Sequence, residues 1–169
     1  TQKRQFLGAY ILNSLLNLSE TDKNLHFVPM DTGFGFGTPL WCPLLAGGAL
    51  VCPRDFIALD IPHLLTTFRP THYWGGPAHH QAILQELKKV PDCRMAGHSL
   101  RFIGTASAAI RSEVRQELET LVGIPVVEAY IMSEAFISLN ISGKKESVGV
   151  PFIPRLEIRN DQDHALPAG

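Results

Sequence analysis

Residues 100–130 read L-R-F-I-G-T-A-S-A-A-I-R-S-E-V-R-Q-E-L-E-T-L-V-G-I-P-V-V-E-A-Y. Leu100 to Gly104 is a short apolar run that passes through small residues into a stretch with Ile110, Val114, Leu118, Leu121 and Val122 at mostly helical spacing. Val126 to Tyr130 then turns apolar again. This pattern is a strand, a helix and a strand, because only the middle segment carries the 3.6-residue period. Such a unit joins two parallel strands by a right-handed crossover, so their carboxyl ends share one edge.

The same alternation extends outward. Phe6, Leu7, Tyr10, Ile11, Leu15 and Leu18 form the apolar stripe of a helix over about residues 3–18. Strand-like runs follow at Leu25 to Val28, Ala49 to Cys52 and Thr71 to Trp74. Ile57, Ile61, Leu64, Leu65 and Phe68 predict a second helix, with Asp60 as N-cap and Pro62 in its first turn. Ala78 to Lys89 predicts a third, and Leu156 and Ile158 alternate with polar neighbours as one half-exposed strand. The expected fold class is therefore α/β, a mostly parallel sheet flanked by helices, in one domain or part of one.

Composition narrows the partners. The chain has 169 residues, 45% apolar and 18% charged, with a formal net charge of −1, as an ordinary globular chain does. No run of Lys and Arg offers an electrostatic footprint for nucleic acid or an anionic membrane surface, so small molecules or proteins are the expected partners. Cys42, Cys52 and Cys93 form neither a C-x-x-C nor an even set, which fits a reducing, cytoplasmic compartment. Cys42 and Cys52 lie in apolar runs and read as small buried hydrophobes. No apolar stretch reaches the length of a membrane span. The lack of an initiator Met and the turn-like end L-P-A-G (166–169) suggest a piece of a longer chain.

In an open α/β sheet, ligands sit beyond the carboxyl ends of the strands, where loops diverge and helix N-termini offer free N–H groups. Two loops hold that position here: Thr105 to Ala109, all small residues, and Ile131 to Glu134. Tyr130 for stacking on a base, Ser133 for a phosphate oxygen and Glu134 for Mg²⁺ make a set that suits a nucleotide. Residue spacing alone leaves open a plainer alternative, with Tyr130 a core aromatic and Glu134 a carboxylate at a helix N-terminus. Ser107 lacks the flanking glycines of a nucleophile elbow, and adjacent His79 and His80 cannot ligate one metal from one helix face. Lys144, Lys145 and Glu146 read as a solvated loop.

Four segments in order carry a family resemblance: L-R-F-I-G-T-A-S-A-A-I (100–110), P-V-V-E-A-Y-I-M-S-E-A (125–135), S-V-G-V-P-F (147–152) and L-P-A-G (166–169). They resemble the adenylate-forming superfamily of acyl-CoA synthetases, luciferases and adenylation domains. The family signature Tyr-Gly-x-Thr-Glu is similar to Tyr130 to Glu134. V-P-M-D-T-G-F-G-F-G-T-P-L-W-C-P-L-L-A-G-G-A-L-V (28–51) resembles the acyl-pocket segment, and T-H-Y-W-G-G-P (71–77) the strand and turn after it. The phrase E-A-Y-I-M-S-E-A is similar to oxalyl-CoA-synthetase-like members, while Asp31 to Phe34 is similar to short- and medium-chain acyl-CoA synthetases.

The resemblance implies an interior segment of the large N-terminal domain of such an enzyme, with a carboxylic acid and ATP as substrates. Mg²⁺ would assist, and the acceptor would be CoA or the phosphopantetheine of a carrier protein. It implies catalytic roles for Ser133 and Glu134, with Glu134 as the metal ligand. It implies nucleotide contacts for Ala106, Ser107, Ala108, Glu128, Ala129, Tyr130 and Ser133, and an acyl pocket at Thr32, Phe34, Trp74, Gly104 and Met132. An ordinary core position for Trp74 is the alternative.

Three departures stand out. Ile131 replaces the signature Gly, Met30 to Thr32 replace an aromatic-His pair, and the phosphate loop, ribose-binding Asp, hinge and catalytic Lys have no counterpart. The remainder of a parent enzyme is thus an expected partner, and these residues alone are expected to be inactive. A non-catalytic remnant, or a piece of a multidomain synthetase, remain alternatives.

Overall fold

In the computed structural model, which describes residues 2–90, 98–132, 135–141, 147–151 and 157–167, the unit expected from residues 100–130 forms. Strand β4 (Phe102–Thr105) leads to a helix at Ser112–Val122 and then to β5 (Val126–Met132), parallel to β4 with Gly104 opposite Val127. The helix ends where Gly123 takes a left-handed φ of 79° and donates its N–H to the Glu119 carbonyl.

Upstream lie helix α1 (Gln2–Leu16), β1 (Lys23–Leu25), a short helix α2 (Gly33–Gly35), a π-helix (Phe36–Trp41), α3 (Cys42–Leu45) and β2 (Ala49–Val51). A 3₁₀ turn (Ala58–Asp60) then opens α4 (Ile61–Thr67), followed by β3 (His72–Gly75) and α5 (Pro77–Leu87); Ser112–Val122 is α6. Downstream come β6 (Ala135–Asn140) and β7 (Val150–Pro151). The described strands form one sheet in the order β2-β1-β3-β4-β5-β6-β7, parallel from β2 to β5 and antiparallel at β6 and β7.

A parallel sheet is covered on both faces, and this one separates two cores. Leu25, Tyr73, Ile103 and Val126 pack with α4, α5 and α6, while Trp74, Phe102, Val127 and Leu139 pack with α1. Buried Arg115 on α6 donates to the Val126 carbonyl and pairs with Glu128 at 3.6 Å. Glu119 on the same helix accepts the Val126 N–H at 2.9 Å, so α6 is fastened to the start of β5.

Several expectations need correction. Helix α1 does not bury the stripe Phe6, Leu7, Tyr10 and Leu15; these stay exposed, and Ala9, Leu12 and Leu16 face the core. The helix turns its small side inward because a β-carbon at Gly8 would stand 2.2 Å from the Phe136 ring. Pairing on β1 ends at Leu25, two residues after it begins, although His26, Phe27 and Val28 are buried: apolarity there marks burial as the chain leaves the sheet. Asp60 precedes α4 but makes no side-chain cap bond, because the 3₁₀ turn puts it at ψ −16° rather than in the extended conformation a cap needs. Cys42 is buried as expected, but Cys52 is exposed beyond the end of β2. Ile158 belongs to no strand, and its neighbour Arg159 makes an isolated bridge with Ala165. Leu156, Cys93 and Lys144 to Glu146 lie outside the described residues. Among those described, no helix is long and apolar enough to cross a membrane.

His72 and His80 are fully buried, and burial pushes both imidazoles down to about 4. Their neutral forms are therefore built into the fold, while the unfolded chain takes up protons near the ordinary value of 6.5. Because the unfolded state binds more protons in this window, stability falls as pH drops. Urea unfolding is expected to show full stability from these groups above pH about 6.5 and a loss of up to about 3 kcal/mol per histidine by pH about 4. A flat profile across that range would contradict their burial.

Candidate functional site

The parallel strands β3, β4 and β5 end at one edge, and three segments meet there. Strand β3 runs into Gly76 and Pro77 at the start of α5; β4 runs into Ala106 and Ser107; β5 runs to Met132. The Ala106 N–H donates to the Gly75 carbonyl at 3.3 Å, holding the second loop against the first. Ser107 then takes a φ of 77°, a left-handed conformation that is costly for a residue with a β-carbon.

Beside Ser107 opens a cleft of about 310 Å³. One wall is Thr32, Gly33, Phe34, Gly37 and Thr38; the other is Ser107 with Ile131, Met132 and Phe136. The first wall is rigidly built. The Thr32 hydroxyl donates to the Pro29 carbonyl at 2.8 Å and accepts the Gly35 N–H at 2.9 Å, so it caps α2 with both hydrogen-bonding functions engaged. The G-x-G-x-G run thus opens a helix, although its spacing is not that of a dinucleotide motif. Pro39 has no N–H and its ring disfavours an i−4 carbonyl, which accounts for the π-helical turn around it. Asn24 of β1 donates to the Pro39 carbonyl at 2.7 Å and ties that turn to the sheet. Fully buried Thr38 is left with a hydroxyl that has no hydrogen-bond partner among the described residues.

The second wall depends on a bulge. Pairing slips between Tyr130, opposite Ser138, and Ile131, opposite Phe136, which leaves Ile137 as the extra residue. A bulge re-aims the side chains after it, and here Ile131, Met132 and Phe136 all reach the cleft. Phe136 is seated from behind by the missing side chain of Gly8. Among the described residues none that lines the cleft is ionisable, and those residues give it mostly apolar walls.

The structure brings together four of the residues singled out from sequence: Thr32, Phe34, Ser107 and Met132. It does not bring Trp74 and Gly104 to the cleft. Trp74 is fully buried, and a β-carbon at Gly104 would stand 2.2 Å from its ring, so the pair is packed inside the core beneath the edge. Ala106 and Ala129 are also buried in that core, and Ala108 is exposed. The Glu128 carboxylate faces Arg115. Tyr130 is 45% exposed, so the plainer reading of it as a core aromatic does not hold. Ser133 and Glu134 lie outside the described residues; the next element is strand β6, so no helix begins after Glu134. His79 accepts the Gly76 N–H at 3.1 Å and serves the start of α5. Among the described residues no cluster of three His, Cys, Asp or Glu could hold a metal ion.

Gly37, Thr38 and Phe136 were not singled out as site residues. The glycine run at 33–37 and the alternating F-I-S-L-N (136–140) were the available signals. The Ser107 conformation yields a direct check. Ser107→Gly is expected to stabilise the chain by up to about 1 kcal/mol and Ser107→Val to destabilise it by about 1–3 kcal/mol in urea unfolding. The opposite order would mean that residue 107 is not held at positive φ.

Comparison with known proteins identifies the family and the fold. The family model for AMP-binding enzymes matches residues 5–169. A probable CoA ligase of Humulus lupulus, CCL9, is 32% identical over 126 residues, which is 73% of this chain and 24% of that protein. The oxalate–CoA ligase of Arabidopsis thaliana is 28% identical over 160 residues, 89% of this chain and 31% of that protein. The solved structure of the anthranilate CoA ligase AuaEII in complex with anthranoyl-AMP matches with a TM-score of 0.82 at 22% identity, over 99% of this chain and 33% of that one. The mostly parallel sheet with flanking helices is thus the fold of the N-terminal domain of adenylate-forming enzymes. The chain spans about a quarter to a third of the length of the curated relatives it matches.

Proposed function

The chain belongs to the AMP-binding enzyme family, and on that premise we propose that it supplies the acyl cleft and the adenine-facing strand end of an ATP-dependent acid–CoA ligase. The observation that carries this reading is the cleft itself: apolar walls from two separate segments meet at the carboxyl end of β5, where the signature Tyr130 to Glu134 begins. The names of both curated relatives support CoA as the acceptor.

In this reading the acid lies between Phe34, Ile131 and Phe136 with its carboxylate toward the signature. Exposed Tyr130 stacks on adenine, and Ser133 donates to an α-phosphate oxygen. The carboxylate attacks the α-phosphorus and pyrophosphate leaves; the CoA thiol, giving up its proton, then attacks the acyl carbonyl carbon of the acyl-AMP, forming the thioester as AMP leaves. The contribution of these residues is to align the reactants in a site that is largely preorganised by the Thr32 cap and the β5–β6 bulge. A lone carboxylate beside nucleotide phosphates fits Mg²⁺, and Glu134 is the residue that would hold it, neutralising phosphate charge. The absence of a counterpart for the family's phosphate loop and catalytic Lys accounts for the expectation that the isolated residues 1–169 do not adenylate.

Pyrophosphate–ATP exchange with a panel of carboxylic acids tests the reading. The full-length protein carrying this segment is expected to exchange, Glu134→Ala to lose roughly 10²-fold or more, and the 169-residue chain to give no exchange. No exchange by the full-length protein with any acid would remove the function; exchange by the 169 residues alone would overturn the proposed dependence on the remainder.

A further inference from the structure

We infer that Gly37 is a specificity-determining residue, its missing side chain leaving the space that sets how large an acid the cleft admits; this rests on the acyl-cleft reading above. Gly37 is buried on the π-helix and lines the cleft, yet a β-carbon built on it meets no neighbouring atom of the described residues within 4 Å. Its φ is not in the left-handed region, so the backbone does not require glycine. Other buried glycines contrast with it: a β-carbon would stand 2.0 Å from the Pro29 carbonyl oxygen at Gly35 and 2.2 Å from Trp74 at Gly104. Those positions are glycine because the fold leaves no room, whereas at 37 the open space belongs to the cleft.

Glycine inside a helix is less stable than alanine, so stability does not explain it. Phe34, Ile131 and Phe136 line the same cleft as Gly37. The substrate class that fits is a carboxylic acid with a compact apolar body, aryl or short aliphatic, whose far end reaches Gly37.

The test is a series in the full-length protein, Gly37→Ala and Gly37→Leu, assayed with butanoic, hexanoic, octanoic and benzoic acids. The kcat/KM ratio of the largest accepted acid to the smallest is expected to fall by about tenfold or more with Gly37→Ala and further with Gly37→Leu, since one methylene of pocket volume commonly discriminates to that degree. The melting temperature of Gly37→Ala is expected to stay level or rise by a few degrees. An unchanged ratio in folded, adenylating variants would overturn the role of Gly37 while leaving the acyl-cleft function intact, and a fall in melting temperature with Gly37→Ala would show that the space is not free. Absence of exchange by the parent protein with every acid would overturn both.

Discussion

Parallel pairing of β4 with β5 is the constraint on which the rest of this chain depends. Ile103, Gly104 and Thr105 stand opposite Val126, Val127 and Glu128, and strands so paired must be joined by a crossover. Helix α6 is that crossover. Its consequence is directional: the loop after Thr105 and the signature after Tyr130 leave the sheet at the same edge. An antiparallel pairing would have sent them to opposite ends, and no single cleft could have been walled by Ser107 and Ile131.

That edge is shaped by packing two layers deep. Trp74 fills the space that a side chain at Gly104 would occupy, so this part of β3 and β4 is packed core rather than cleft wall. Above it, the Thr32 cap and the π-helix around Pro39 bring Gly37 and Thr38 to the cleft, and Asn24 secures the turn to β1. Across from them, the bulge at Ile137 and the close approach of Gly8 set Phe136 in place. Each wall is thus held by contacts outside the cleft, which is the arrangement a preorganised binding site requires. Left-handed Ser107 is the strained element between them.

Much of the fold was legible because helix and strand periods differ. The crossover unit, α5 and the parallel core could be read from apolar spacing. Other features could not. The face of α1 was misassigned because Phe6, Leu7 and Tyr10 carry more apolar surface than Gly8 and Ala9, while the requirement to seat Phe136, 128 residues later than Gly8, left no local trace. The π-helix depends on Pro39 acting within a tertiary setting, and β6 followed a segment read only for its motif. Of the residues named by resemblance, Thr32, Phe34, Ser107 and Met132 line one cleft, while Trp74 and Gly104 pack against each other in the core, a placement that a motif match does not reveal. Ile131, noted in sequence only as a departure from the signature glycine, lines the cleft with its side chain.

The central claim is that one apolar cleft at the end of β5 receives the acyl group of an adenylate while Tyr130 faces its base. A crystal structure of the full-length protein with a non-hydrolysable acyl-adenylate analogue tests it most directly. The expected density has the acyl group between Phe34, Ile131 and Phe136, ending beside Gly37, with adenine against Tyr130. An analogue bound elsewhere on the sheet, or an empty cleft at saturating analogue, would contradict the account.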